Sequence, residues 1–376
     1  MAGQVITSGT IHYIKRTMKF IVTTFDKGNN GRVMEGWFKH SIPEIRKHSL
    51  VENYSASEIE ACDAIILFRN WRDTFVFDEG LFDACKNKPF IVIDYAEYGP
   101  ASMYDEEYLT AWDIIGVRID PLFESACTEE HKKLTNRFLD CSIKAYFKRE
   151  LSHAVYNKRQ DLNLYPLDYF ANNMPDAILL TEEEFYSRPL DLLFNWGFSN
   201  PERCKLHGRI MMEIEKFGHN VFLSMAQFEE SIRNKSDHSF LLIRSDHHER
   251  VDYSMLQQQS RLVLDLFGNG MKCFRNWESA LHSISVKQDP SLLVRTFAWT
   301  DGRDCLILPT NVNRLNLDDA IDVIYEYTRG GKRHELYPIY KNSIQHARKY
   351  ESKYYFDNHI YPALDEALLE SKPDIS

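Results

Sequence analysis

Short apolar runs that alternate with helical segments recur along the whole chain, and this alternation constrains the fold more than any other feature. Residues 19–24 and 89–94 are two such runs. The stretches 34–48 and 201–218 are predicted to be helical, and the second of them is amphipathic. Runs of this length without polar alternation are typical of strands buried on both faces of a parallel sheet. The pattern predicts an α/β fold built from successive strand–helix units.

The length of 376 residues is too great for one ordinary core and suits two domains. Two α/β series follow one another, separated by a stretch in which Pro, Asn and Tyr interrupt regular structure. We therefore expect an extension over 1–17, an N-terminal Rossmann-like domain over 18–150, a crossover over 151–185, a C-terminal Rossmann-like domain over 186–345 and a final helix over 346–376.

Composition excludes several classes of protein. The formal net charge of −10 argues against nonspecific DNA binding, which usually uses a basic face. No apolar run approaches the ~20 residues that span a bilayer, and no apolar segment with a cleavage site begins the chain. The seven Cys are dispersed without a CxxC pair, which indicates reduced thiols rather than disulfides or a zinc site. These features predict a cytoplasmic protein.

The segment FGNGMKCFRNWE carries the strongest binding pattern. Gly268 and Gly270 follow a strand and precede a helix, where backbone N–H groups can approach a diphosphate. Arg275 and Glu278 are three residues apart and share a helix face, so a guanidinium can meet phosphate and a carboxylate can meet a ribose diol. Lys272 adds a point charge. The alternative is an ordinary ion pair beside a glycine turn.

The stretch QSRLVLDLFGNGMKCFRNWE, with DCLILP after the next strand, resembles the donor-binding half of GT-B glycosyltransferases. It is most similar to the spore-maturation-type and exostosin-like bacterial and phage members. AYFKREL resembles their crossover, and YKNSIQHARKYESKYYFDNHIYPAL resembles their last helix. A weaker similarity, to phage DNA β-glucosyltransferase, rests on RNWE and on a strand that ends in Asp. The likeness covers residues 140–365 well and 18–140 loosely.

This resemblance implies two Rossmann-like domains facing across a cleft, with the C-terminal helix returning to the N-terminal domain. It implies a hexosyl- or pentosyltransferase whose C-terminal domain holds a nucleotide-sugar donor, such as a UDP-sugar, and whose N-terminal domain holds the acceptor. The family holds the donor diphosphate mainly without metal, so no cofactor beyond this co-substrate is expected. The chain departs from many retaining members, because Val286 stands where an E-x7-E pair would place its second Glu. Inverting and retaining chemistry both stay open.

The segment WGFSNPER is a second candidate for the donor. A strand ends at Gly197, and Asn200–Pro201 is typical of a helix start. In the resembled family this loop faces the diphosphate, and Arg203 matches the Arg at its helix start. The alternative is a structural turn with a solvated Arg.

The carboxyl end of the strand at 89–94 supplies candidates for catalysis. Asp94 closes the strand and, in the cleft, could take the proton of the acceptor hydroxyl; Glu97 in the same loop is its companion. Asp26, Gly28 and Gly31 follow the first strand and would line the acceptor side of the cleft. The alternative for Asp94 is a residue that caps the next helix.

A polar loop at 246–252 contains two His and three acidic residues. Its spacing fits no zinc signature, so we interpret it as solvated and expect no metal.

The acceptor stays open between a hydroxymethylated base of phage DNA and a glycan, lipid or small metabolite. Two other functions are compatible with the pattern: a nucleotide-sugar epimerase and a non-catalytic nucleotide-sugar-binding protein. The identity of the sugar and of the nucleotide, and the oligomeric state, do not follow from the residues.

Overall fold

A computed structural model gives the fold, with a parallel five-stranded sheet in its first part. The described residues are 20–24, 56–69, 88–95, 142–149, 151, 153–158, 162–171, 174, 176–196, 201–217, 220–223, 239–244, 253–267, 275–288, 293–311 and 314–369. The strands, in chain order and in spatial order, are β1 (Phe20–Thr24), β2 (Ala64–Arg69), β3 (Phe90–Asp94), β4 (Ile143–Lys148) and β5 (Leu164–Pro166). Helices α1 (Ala56–Ala61) and α2 (His153–Lys158) accompany them.

Because the first sheet is wound in one direction only, right-handed crossovers would all lie on one of its faces. The other face must be covered by a different part of the chain. It carries Ile66, Ile91 and Phe147, and these side chains share one apolar cluster with Tyr355 and Leu364 from the end of the chain.

The second sheet is doubly wound and entirely parallel, with the order β11-β10-β9-β6-β8-β7. Its strands are β6 (Leu190–Trp196), β7 (Asn220–Phe222), β8 (Ser239–Arg244), β9 (Ser260–Asp265), β10 (Ile284–Gln288) and β11 (Leu306–Leu308). Its helices are α3 (Glu182–Tyr186), α4 (Pro201–Met212), α5 (Ile214–Phe217), α6 (Tyr253–Gln258) and α7 (Arg275–His282). A short antiparallel pair, β12 (Thr310–Asn311) and β13 (Arg314–Leu315), precedes α8 (Leu317–Thr328).

The C-terminal segment leaves the second unit and returns to the first. It comprises α9 (Leu336–Ala347), α10 (Ser352–Tyr355) and α11 (Tyr361–Leu369), with 3-10 turns at Arg333–Glu335 and Arg348–Tyr350 and a π-turn at Phe356–Ile360. The rings of His359 and Phe147 are nearly perpendicular with their centroids 6.2 Å apart, and the backbone N–H of Asp168 donates to the Tyr355 hydroxyl at 2.8 Å. The α/β class, the two Rossmann-like units and the returning C-terminal helix are thus confirmed.

One strand lies where the sequence predicted a crossover. Leu164–Pro166 forms β5 at the edge of the first sheet, and Phe170 just after it joins the cluster shared with the C-terminal segment. Proline is tolerated there because an edge strand has one side without ladder hydrogen bonds. Phe185 already belongs to the core of the second sheet, so the change of unit falls between residues 171 and 185. The predicted extension over 1–17 and the helix predicted over 34–48 lie outside the described residues.

A buried ion pair joins the amino ends of β6 and β9. The guanidinium of Arg261, which is 2% exposed, donates to Asp191 Oδ1 at 2.7 Å and to the Tyr186 carbonyl at 2.7 Å. Arg333 lies 3.6 Å from the same carboxylate. Removing Arg261 therefore takes away the nearer of these two cations.

We expect Arg261→Met to lower the free energy of unfolding by about 3 kcal/mol, because a buried carboxylate loses its nearest partner. Urea denaturation measures this change. Lys216→Met is the control, since Lys216 and Asp322 form an exposed pair and its loss should leave the midpoint nearly unchanged. Equal midpoints for the two variants would contradict the prediction.

Candidate functional site

The second sheet has a topological switch between β6 and β9. From β6 the chain moves to β7 and β8 on one side, and from β9 it moves to β10 and β11 on the other. In open parallel sheets, ligands bind outside the carboxyl ends of the strands at such a point. The two segments predicted to bind the donor follow β6 and β9, and these strands are neighbours in register. The structure therefore brings together the origins of both segments.

The first turn of α4 is tied to the end of β9. Arg203 is 5% exposed, and its Nη2 donates to the Leu266 carbonyl at 2.7 Å. The neighbouring Glu202 is also buried and accepts from the Leu315 backbone N–H at 3.0 Å. Arg203 thus contacts the backbone just before the predicted glycine turn. Its role at the diphosphate stays a prediction, and Gly197 lies outside the described residues.

Helix α7 begins at Arg275 and carries Glu278 in its first turn, as the shared-face interpretation requires. Trp277 and Leu281 of this helix are buried in the cluster that also contains Ile93 of β3. The two units therefore meet through the helix that contains the last residues of the predicted donor segment. Glu278 is half-buried, and only the backbone of Arg275 is described. Gly268, Gly270 and Lys272 lie outside the described residues.

Asp94 ends β3 in a fully buried ion pair. Lys148 Nζ on the neighbouring strand lies 3.0 Å from Asp94 Oδ2, and the Tyr146 hydroxyl donates to the same oxygen at 2.7 Å. Both contacts hold the Asp94 carboxylate inside the sheet, where it is fully buried. Its role as general base stays a prediction.

The other residues predicted on the acceptor side cannot be placed. Glu97, Asp26, Gly28 and Gly31 lie outside the described residues.

The second sheet contains a buried Lys–Asp ion pair like that of the first. Lys287 Nζ lies 2.9 Å from Asp265 Oδ2, and the two residues are register partners on β10 and β9, as Lys148 and Asp94 are on β4 and β3. The Lys287 ammonium also lies 4.3 Å from the centre of the Trp299 ring. Sequence reasoning missed both lysines. Their signal is a charged residue at or next to the end of an apolar run, as in AYFK and ISVKQ.

The described part of the chain contains no group of three His, Cys, Asp or Glu side chains placed to hold a metal ion. The polar loop at 246–252 falls outside that part. Within the same part, no helix combines the length and the apolar character needed to cross a membrane.

No family model and no curated protein matches the sequence. Similar solved structures include Anabaena Alr3699/HepE in complex with UDP, at 10% identity and a TM-score of 0.48, covering 93% of this chain and 100% of that one. The pneumococcal O-GlcNAc transferase GtfA, in complex with UDP and GlcNAc, has 12% identity and a TM-score of 0.45, covering 84% and 59%.

A putative UDP-N-acetylglucosamine 2-epimerase from Listeria monocytogenes has 11% identity and a TM-score of 0.43, covering 94% and 98%. This chain spans 59% of the length of GtfA.

We expect Arg203→Met to lower the free energy of unfolding by about 1.5–3 kcal/mol, because a charged donor is lost and the Leu266 carbonyl loses its partner. Arg209→Met, in the same helix but in exposed ion pairs, should cost no more than about 1 kcal/mol. Urea denaturation of both variants checks this difference. An Arg203 variant as stable as the wild type would show that the hydrogen bond from Arg203 to the Leu266 carbonyl does not stabilise the fold.

Proposed function

We propose that this chain is a glycosyltransferase, which moves a sugar from a nucleotide-sugar donor to an acceptor hydroxyl. The observation that carries the proposal is the position of the two predicted donor segments. They leave from β6 and β9, the neighbouring strands that flank the switch point of the second sheet. This is where a doubly wound sheet offers helix N-termini and open loops to an anionic ligand.

The chemistry would consist mainly of positioning and of charge stabilisation. The diphosphate leaving group gains negative charge as the bond to the sugar breaks. Arg275, Lys272 and the N-terminal N–H groups of α7 would stabilise this charge, and Glu278 would accept hydrogen bonds from the ribose diol. Pre-organised donors of this kind cost no reorganisation at the moment of transfer.

The acceptor would lie at the carboxyl end of β3, in the first unit. Asp94 or Glu97 would take the proton of its hydroxyl group. Whether the sugar is a hexose or a pentose, and whether the acceptor is a hydroxymethylated DNA base, a glycan, a lipid or a small metabolite, belongs to the same proposal and is decided by assay.

The test begins with a panel of UDP-, GDP-, ADP- and dTDP-sugars in a thermal-shift assay. A ligand at 100 times its Kd adds ~2.7 kcal/mol of stability. Products from the bound donor are then analysed with and without candidate acceptors. Conversion of the donor alone to an isomer would indicate an epimerase, and binding without turnover under any condition would indicate a non-catalytic protein.

We expect Arg275→Ala and Glu278→Ala each to weaken donor binding by about 10- to 100-fold, since each removes a charge-assisted hydrogen bond. Calorimetric titration with the donor from the panel measures this. Arg209→Ala and Glu213→Ala are matched controls, because those residues form an ordinary helix ion pair at 2.7 Å. Unchanged affinity in both α7 variants would indicate that Arg275 and Glu278 do not contact the donor and form only an ordinary ion pair within the helix.

The test of Asp94 must account for its buried partner. Asp94→Asn removes the carboxylate that lies 3.0 Å from the buried Lys148 ammonium, so stability should fall whatever the catalytic role of Asp94. Asp94→Asn combined with Lys148→Met removes both charges and should recover much of that loss.

If Asp94 is the base, the double variant should bind donor normally and transfer sugar about 10²- to 10⁴-fold more slowly. Transfer rates at saturating donor, measured beside melting temperatures, separate the two effects. A double variant that transfers at the wild-type rate would show that Asp94 serves the fold. Glu97→Gln would then be the variant expected to lose activity.

A further inference from the structure

The side chain of Asn195 has a buried oxygen that accepts no hydrogen bond from the described residues. The residue is 9% exposed, and its side-chain oxygen Oδ1 has no hydrogen-bond partner among the described residues. Buried carbonyl oxygens are nearly always paired, because leaving one unpaired costs free energy. An orphan of this kind requires an explanation, and its place in the fold supplies one.

Asn195 lies one residue before the end of β6, at the switch point. Because Leu193 is in register with Val263 of the parallel strand β9, Asn195 lies level with Asp265, the last residue of β9. The orphan oxygen is therefore at the edge of the sheet from which both predicted donor segments depart.

The face on which Asn195 lies is the face of α7. Phe194 packs with Leu206 of α4, whereas Leu193 packs in a different cluster with Leu256 of α6. Side chains alternate along a strand, so Asn195 shares the face of Leu193. On that face α6 contacts α7 through a hydrogen bond from Gln257 Nε2 to Ser279 Oγ at 3.4 Å.

We propose that Asn195 determines donor specificity: its carboxamide oxygen accepts a hydrogen bond from an O–H or N–H group of the nucleotide sugar. The inference rests on the proposed function and names a further contact of the same site. An amide oxygen only accepts, and ionised phosphate oxygens also only accept. The group that Asn195 recognises therefore belongs to the nucleoside or to the sugar, and not to the diphosphate.

The test is Asn195→Leu, which keeps the size of the side chain and removes the oxygen. The matched control is Gln259→Leu. Gln259 also has a buried side-chain oxygen without a partner in the described structure. It lies just before β9, however, at the amino ends of the strands and therefore away from the predicted donor segments. Melting temperatures without ligand should stay level or rise in both variants, since each loses an unpaired buried polar atom.

We expect Asn195→Leu to weaken binding of the nucleotide sugar identified in the panel by about three- to ten-fold, the effect of one neutral hydrogen bond. Binding of inorganic pyrophosphate, which offers no such donor, should be unchanged. Gln259→Leu should bind both probes like the wild type. A loss seen equally with the free nucleoside diphosphate assigns the contact to the nucleoside, and a loss seen only with the nucleotide sugar assigns it to the sugar.

Two results would overturn the inference. Wild-type affinity of Asn195→Leu for the nucleotide sugar would show that the oxygen does not touch it, and so would an equal loss of affinity for pyrophosphate. Both leave the proposed function standing, provided that the wild-type chain binds and turns over the donor. Failure of the wild-type chain to bind any nucleotide sugar of the panel would remove the proposed function and this inference together.

Discussion

A parallel sheet wound in one direction receives its crossover connections on a single face, and the first sheet of this chain is such a sheet. Its other face would expose Ile66, Ile91 and Phe147 to water unless a distant segment covered them. The end of the chain does so, through Tyr355 and Leu364 in the same apolar cluster. Covering one sheet therefore joins the two units to each other.

The same cluster also sets the position of the candidate site. Trp277 and Leu281 of α7 belong to it, so the helix whose first turn carries Arg275 and Glu278 is held against the first unit as well as the second. A shift of the C-terminal segment would move this helix relative to β3. The geometry of the donor side thus depends on packing that lies far from it in sequence.

The paired charges at the strand ends follow a common physical logic. Asp94 with Lys148, and Asp265 with Lys287, each join two neighbouring parallel strands where the ladder ends and the loops begin. Buried ion pairs contribute little net stability, because desolvation offsets their attraction. Each pair joins two residues that are register partners, and the two charges of each pair cancel at the end of its sheet.

Continuous apolar runs and helix periodicity predicted strands β3, β6, β9 and β10 and the division into two units, whereas the return of the last helix was implied by the family resemblance. The sequence did not predict β5, which has three residues and ends in Pro166. Nor could it reveal contacts that depend on register across strands. Lys148 is 54 residues from Asp94, and Leu266 is 63 residues from Arg203, so neither pairing can be read from local spacing. The unpaired oxygen of Asn195 can be recognised only once the burial of the surrounding strand ends is known.

The return of α11 to the first sheet also has a consequence for synthesis on the ribosome. The last strand of that sheet emerges about 200 residues before the helix that completes its core. At roughly 5–20 residues per second, the half-covered sheet would wait about 10–40 seconds for its missing face. During that interval the nascent first unit exposes an apolar surface, and this makes it a natural client for chaperones that bind growing chains.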